Sequence, residues 1–298
     1  MDIISLLMCP ECKCGLIESS KVSAKDADGT MAFLKCESCC NEYNTKYGVY
    51  DIVSEKLSSN QEILWRITDE EIEADEILDN ESNGVEQPSW VEDYYSKISV
   101  ETKQAQQKQS EFMNQLIKTF SGTVCDLATG RGNNLKKLLD VDSNNFQIVC
   151  TDICKRVLAM TRKYLKTEDS RVFYIATDGR YMSLKDNSFD YITSFAAFGN
   201  IPESDKVAKE LYRILKPQGK LIIEGSYIEP NSKSYEVAKS NGLEKGMVEE
   251  YLIQELKTVG FKNVESTVVA KAIWAENPYD LLPVAGDMQY FCVIQAEK

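Results

Sequence analysis

Between Val124 and Asn134 the chain reads VCDLATGRGNN: a short apolar run ending in an acid, a turn of small residues, then a helix-forming segment. Glycines at 130 and 132 permit positive φ and let another molecule approach the backbone closely. The first amides of a following helix have no partner of their own and are free to donate. The stretch therefore predicts a strand over 123–127, a turn over 128–132 and a helix over 133–139. An open parallel sheet uses such a turn to bind a nucleotide-like molecule at the carboxyl ends of its strands.

A G-x-G by itself is a weak sign; the order of the downstream segments strengthens it. FQIVCTDI is a second strand ending in Asp152, placed to accept from ribose hydroxyls. RVFYIATDGRYMSL is a third, ending in Asp178, where an acid can accept from a base amino group. NSFDYITSFAAFGNIPE reads as a buried strand and a flanking loop, and DKVAKELYRILKPQGKLIIEG as an amphipathic helix, a turn and a fifth strand. Each acid alone reads equally well as a helix cap. Helix, Gly-Phe turn and strand occupy 247–270, and DMQYFCVIQAEK is a last strand expected antiparallel to its neighbour. The alternation predicts an α/β, doubly wound, mainly parallel sheet of seven strands. A dinucleotide dehydrogenase would want a third glycine at position 135, which is Leu.

This train resembles the class I S-adenosylmethionine (SAM)-dependent methyltransferases, in particular the branch of quinone and other small-molecule methylases. Val124–Gly132 stands where that family has its strand and G-x-G-x-G turn, with Ala128 in place of the first glycine. LYRILKPQGKLII matches its R-x-L-K-P-G-G-x-L segment, with Gln218 for one glycine. The resemblance implies SAM as cofactor. It places Asp126, Ala128, Thr129, Gly130 and Gly132 along the methionine end, Asp152 and Ile153 at the ribose, Asp178 and Gly179 at the adenine, and Phe195 beside the ligand.

Two C-x-x-C pairs, Cys9/Cys12 and Cys36/Cys39, lie 23 residues apart near the amino terminus. Two thiolates three positions apart in a tight turn can share one ion, and two such pairs complete a tetrahedron suited to zinc. Four thiolates leave no open position, so such a zinc is structural. Cys14 and Cys40 read as bystanders. The segment LLMCPECKCGL…FLKCESCCNEYNTKYGVYDIV resembles the small zinc-ribbon family that includes the activator subunit of tRNA and translation-factor methyltransferases. The expected organisation is a zinc ribbon over 1–55, an acidic linker with a modest helix over 56–90, and a methyltransferase domain over 91–298, entered through one or two helices.

The chain has no histidine, which removes the commonest base and metal ligand from any mechanism. Candidate acceptor-side residues are Tyr94, Tyr95, Phe195, Asn200 and Tyr227, each of which also reads as packing or capping; no catalytic residue is assigned. The net charge of -13, concentrated in the Lys/Arg-free stretch 68–93, counts against a broad nucleic-acid surface. The opening MDIISLLMCPECK lacks a leader's basic start, and no apolar run reaches membrane-spanning length, so a cytoplasmic chain without membrane contact is expected. A small-molecule acceptor is the leading expectation. An rRNA or tRNA base (fused zinc modules also occur in bacterial rRNA guanine methyltransferases), a protein substrate, or a non-catalytic SAM-binding module are the alternatives.

Overall fold

The computed structural model describes residues 2–19, 33–54, 89–141, 145–165, 170–278 and 280–298. The acidic linker expected over 56–90 falls outside these, apart from the start of the first helix.

The amino-terminal part is built on four short strands, β1 (Leu16–Ser19), β2 (Phe33–Cys36), β3 (Glu42–Lys46) and β4 (Val49–Asp51). Tyr47 and Gly48 take positive φ of 56° and 73°, the signature of a two-residue type I′ turn, and join β3 to β4 as a tight hairpin. Two helices come next, α1 (Ser89–Lys97) and α2 (Val100–Ile117). Ser99 separates them, its hydroxyl accepting from Thr102 N at 3.1 Å as the cap of α2. Then come β5 (Gly122–Leu127), α3 (Asn133–Leu139), β6 (Phe146–Asp152), α4 (Lys155–Tyr164), β7 (Val172–Ala176), β8 (Phe189–Phe195), α5 (Ser204–Ile214) and β9 (Leu215–Ile228). The chain ends with α6 (Lys233–Ser240), α7 (Glu244–Met247), α8 (Glu249–Val259), β10 (Lys262–Ile273) and β11 (Met288–Glu297).

The order β7-β6-β5-β8-β9-β11-β10 is the doubly wound sheet that the sequence predicts, parallel except for β11, which runs antiparallel to both β9 and β10. The order in which the chain adds strands reverses between β5 and β8, and ligands of such sheets bind in the crevice above that point. The expectation of seven strands falls short. β4 pairs in parallel with β7, Val49 opposite Tyr174 and Asp51 opposite Ala176, so the ribbon strands extend the sheet to eleven. The physical reason is the open edge of β7, whose unpaired amides and carbonyls accept a further strand. Spacing within either segment carries no sign of that pairing.

The junction is more than a strand edge. Ile52 N donates to Ala176 O at 3.0 Å, Ser183 Oγ to Ile52 O at 2.8 Å, and Lys155 Nζ pairs with Asp51 at 2.7 Å. Leu7, Leu34 and Ile52 from the ribbon share one buried apolar cluster with Ile175, Met182 and Leu184. No helix among the described residues is long and apolar enough to cross a membrane.

Ribbon and sheet should therefore unfold together. Ile52→Ala is expected to cost about 2–5 kcal/mol by deleting fully buried methyl groups. Thiol accessibility (for the ribbon) and far-ultraviolet dichroism (for the sheet) should report one shared denaturation midpoint. A ribbon that melts separately would contradict the shared core.

Candidate functional site

The turn after β5 has the strained geometry that its composition foretells. Ala128, Gly130 and Gly132 take φ of 51°, 52° and 79°. Left-handed backbone costs a residue with a Cβ roughly 1–2 kcal/mol, so Ala128 is held there by its surroundings. Thr129 N donates to Thr151 O at 2.8 Å, Gly132 N to Thr129 O at 2.9 Å, and Thr161 Oγ1 to Gly130 O at 2.6 Å. A Cβ on Gly132 would meet the Thr161 methyl at 2.7 Å, so the third position of the turn admits only glycine without a shift.

Two carboxylates frame this turn. Asp126, in β5, is 1% exposed; its Oδ1 accepts from Asn134 Nδ2 at 2.6 Å, while Oδ2 has no partner among the described residues. Burial pushes its pKa up to about 6, against the bonds from Asn134, Thr129 and Thr193. Asp152, ending β6, accepts from Gly130 N at 3.0 Å on Oδ2 and from Cys154 N at 2.9 Å on Oδ1. Burial raises it too to about 6, opposed by those amides. Asp152 thus does part of the capping and also fixes the turn, with lone pairs left on both oxygens.

Thr177 N donates to Asp152 O at 2.8 Å, which sets the loop after β7 beside the end of β6. There Asp178 is engaged by Arg180, through Nε to Oδ1 at 3.0 Å and Nη2 to Oδ2 at 2.8 Å, and is buried. Gly179 and Ile153 are half-buried at these same strand ends. Phe195 ends β8, half-buried, with the Lys137 ammonium 4.2 Å from its ring centre. The sequence-predicted residues on β5, the turn and β6 come together, and those on β7 and β8 flank them.

Beyond β8 lies a cavity of about 140 Å³. Phe198, Met247, Leu282 and Phe291 give it an apolar body, and the segment between β10 and β11 closes one side through Trp274, Asp280 and Pro283. Of the acceptor-side candidates, Tyr94, Asn200 and Tyr227 line it. Tyr95 is 43% exposed and stacks edge-on to Tyr94, outside the lining. Asn200 Nδ2 also donates to Ala196 O at 3.0 Å.

Sequence reasoning missed four residues here. Glu224 lines the cavity and pairs with Lys137 of α3; a glutamate closing the apolar run KLII was the available signal. Asn134 holds Asp126, and Gln109 of α2 ties Gly225 O and Cys292 O at 2.6 and 2.7 Å. Neither announces itself, because their partners come from other elements of the fold.

The second site is the cysteine cluster. The sulfurs of Cys9, Cys12, Cys36 and Cys39 lie within 4.8 Å of one another, with 3.6 Å between Cys9 and Cys39 and 3.3 Å between Cys12 and Cys36. Zinc–thiolate bonds of about 2.3 Å in a tetrahedron place sulfurs about 3.8 Å apart. The amides of Ser38 and Cys39 point at Cys36 Sγ at 3.4 and 3.5 Å, as donors to a thiolate do. The donor set thus fits zinc. Both knuckles turn alike: Lys13 N donates to Cys9 O and Cys40 N to Cys36 O, with φ of 64° at Lys13 and 61° at Cys40. Cys40 is therefore the left-handed residue of its knuckle, and neither it nor Cys14 belongs to the cluster.

Residues 125–223, which carry the strained turn and both acids of its frame, match the family described as "Methyltransferase domain". The ubiquinone/menaquinone biosynthesis C-methyltransferase UbiE of Rickettsia typhi is 33% identical over 120 residues, covering 38% of this chain and 47% of that protein. UbiE of Escherichia coli is 33% identical over 119 residues, with the same coverage. The chain thus spans about half the length of the curated relatives it matches. Among solved structures, the [4+2]-cyclase SpnF superposes with a TM-score of 0.51 at 19% identity, covering 67% of this chain and 83% of that one. YcgJ of Bacillus subtilis gives 0.50 at 12% identity, covering 64% and 98%. These two likenesses establish fold alone. Residues 125–223 of this chain thus match a methyltransferase-domain family, and they lie on a Rossmann-like, doubly wound α/β sheet.

Proposed function

We propose that this chain is a SAM-dependent methyltransferase of a small-molecule acceptor, with residues 1–55 a structural zinc ribbon, 56–90 a linker and 91–298 the catalytic domain. The observation that carries the reading is the strained turn at Ala128–Gly132 framed by two buried acids, one with an oxygen still to be satisfied. Such a site suits a ligand that is cationic at one end and offers paired hydroxyls. Asp126, with Ala128, Thr129, Gly130 and Gly132, takes the methionine end, and Asp152 accepts from the ribose. Ile153 lies beside the ribose and Gly179 beside the adenine, with Asp178 fixing the latter's loop through Arg180, and Phe195 lies beside the sulfur. Cys9, Cys12, Cys36 and Cys39 hold the zinc, which supplies cross-linking of the ribbon and no chemistry.

Methyl transfer from a sulfonium is an in-line displacement, so positioning and exclusion of water supply most of the rate. The cavity beyond β8 is the place for the acceptor, and its mixed walls, apolar at Phe198, Met247 and Phe291 and polar at Asn200, Glu224 and Asp280, suit a small molecule with both apolar and polar parts. The relatives named for C-methylation in quinone biosynthesis make quinols the first compounds to try.

Calorimetry should find one SAM or S-adenosylhomocysteine per chain, and Asp152→Ala should weaken it several-fold while dichroism stays unchanged. Unaltered affinity would remove Asp152 from the ribose. Because Asp126 and Asp152 are ionised only above about 6, affinity should be full at neutral pH and fall as pH drops through that value. Affinity that stays flat on acidification through that value would contradict the assignment. With methyl-labelled SAM, label should pass to a quinol or another small molecule and not to RNA or protein. Metal analysis should give one zinc per chain, kept by Cys14→Ser and Cys40→Ser and lost by Cys36→Ser. Loss in either of the first two would redraw the ligand set.

A further inference from the structure

Behind the wall of the cavity lies a buried ion pair. Glu224 closes the apolar run of β9, is 1% exposed and lines the cavity. Both its oxygens accept from Lys137 Nζ, at 2.9 and 2.7 Å. Lys137 belongs to α3, the helix that starts at the glycine turn, and its ammonium also covers the Phe195 ring. Glu224 is the register neighbour of Phe195, and its carbonyl accepts from Ala196 N at 2.7 Å. Glu224 therefore joins the helix of the proposed cofactor turn, through its carboxylate, to the loop that opens the acceptor cavity, through its carbonyl.

Such a pair is costly to keep. Burial raises the pKa of Glu224 and lowers that of Lys137, so their mutual attraction offsets only part of the lost hydration. An apolar pair would hold β9 to α3 at less expense. Two residues that line the same cavity each carry a buried polar atom without a partner among the described residues: Trp274 Nε1, with Trp274 5% exposed, and Gln289 Oε1, with Gln289 2% exposed. A buried donor or acceptor left unpaired is destabilising unless a bound molecule supplies its partner. The residues that line the cavity thus include two carboxylates, Glu224 and Asp280, of which Glu224 is the one paired with a lysine. The other titratable groups there are Tyr94 and Tyr227. Burial raises both tyrosines, and Asp280 is raised by burial while accepting a bond from Tyr94.

We propose that Glu224 is the group that receives the acceptor's proton, so that the site admits its acceptor as the protonated species rather than the anion. The proposal rests on the methyltransferase reading of the site. In the step, the acceptor atom's electron pair forms the new bond to the methyl carbon and the sulfur–methyl bond breaks with its pair staying on sulfur. The proton of the acceptor atom passes to a Glu224 oxygen. Net charge is conserved, because the sulfonium charge is cancelled by the carboxylate's loss. Lys137 keeps Glu224 ionised beforehand and stays charged throughout.

The test uses 4-nitrophenol, whose neutral and anionic forms absorb at different wavelengths, titrated into the full chain with and without S-adenosylhomocysteine. Wild type should bind the neutral form about tenfold or more in preference to the anion, the equivalent of one pK unit. Glu224→Gln should reverse the preference, because Lys137 is left as an unpaired cation. Should that variant fail to fold, the Lys137→Met/Glu224→Gln pair, which carries neither charge, should bind both forms alike. Four results would overturn the proposal: anion preferred by wild type, the same form bound after the substitution, reversal by Asp280→Asn instead, or no binding of the probe. Absence of S-adenosylhomocysteine binding would instead sink the cofactor assignment, and the spectral preference would still be read.

Discussion

The bond from Gly130 N to Asp152 Oδ2 holds the site in shape. It fastens the turn after β5 to the end of β6 at the one place where the backbone makes three left-handed excursions within five residues. Such excursions persist only where surroundings over-determine them. Here those surroundings are Thr151, Thr161 and the Asp152 carboxylate, all supplied by the neighbouring β6–α4 unit. The strain of the turn is thus offset by the next strand and helix, which is why the two acids and the glycines work as one object.

That object is legible in the sequence because its parts are local. Strand, small-residue turn, helix, then an acid about twenty residues on, form a pattern whose spacing is dictated by the βαβ unit itself. The four zinc-fitting cysteines are legible for the same reason: each C-x-x-C closes within one knuckle. Cys40 sits nearby without joining them because it is the left-handed residue of its knuckle, the place that Lys13 takes in the other.

The features that escape a reading of the sequence are long-range. Lys137 reads as an ordinary surface lysine on an amphipathic helix until β9 brings Glu224 against it, 87 positions later. Gln109 lies on a polar helix, yet its amide is buried against carbonyls of β9 and β11. Asp178 reads as an adenine-side acid from its strand end alone, yet the arginine two residues on occupies its carboxylate. The extension of the sheet from seven strands to eleven belongs to the same class, because strand edges recognise backbone, and backbone leaves no trace in side-chain pattern.

The pairing of β4 with β7 also decides how the molecule meets its own kind. A bare parallel edge is a template for chain-to-chain association, and here it is covered from within the same polypeptide. Among the described residues the sheet then ends on that side in β1, four residues long and bearing a glutamate. The opposite border, β10, is twelve residues long, and its pairing with β11 is broken by register shifts at Lys262/Glu265 and Val268/Ala270. Bulges twist a border out of the flat geometry that an incoming strand requires. Crowded copies of this protein therefore meet a short, charged margin on one flank and an irregular one on the other.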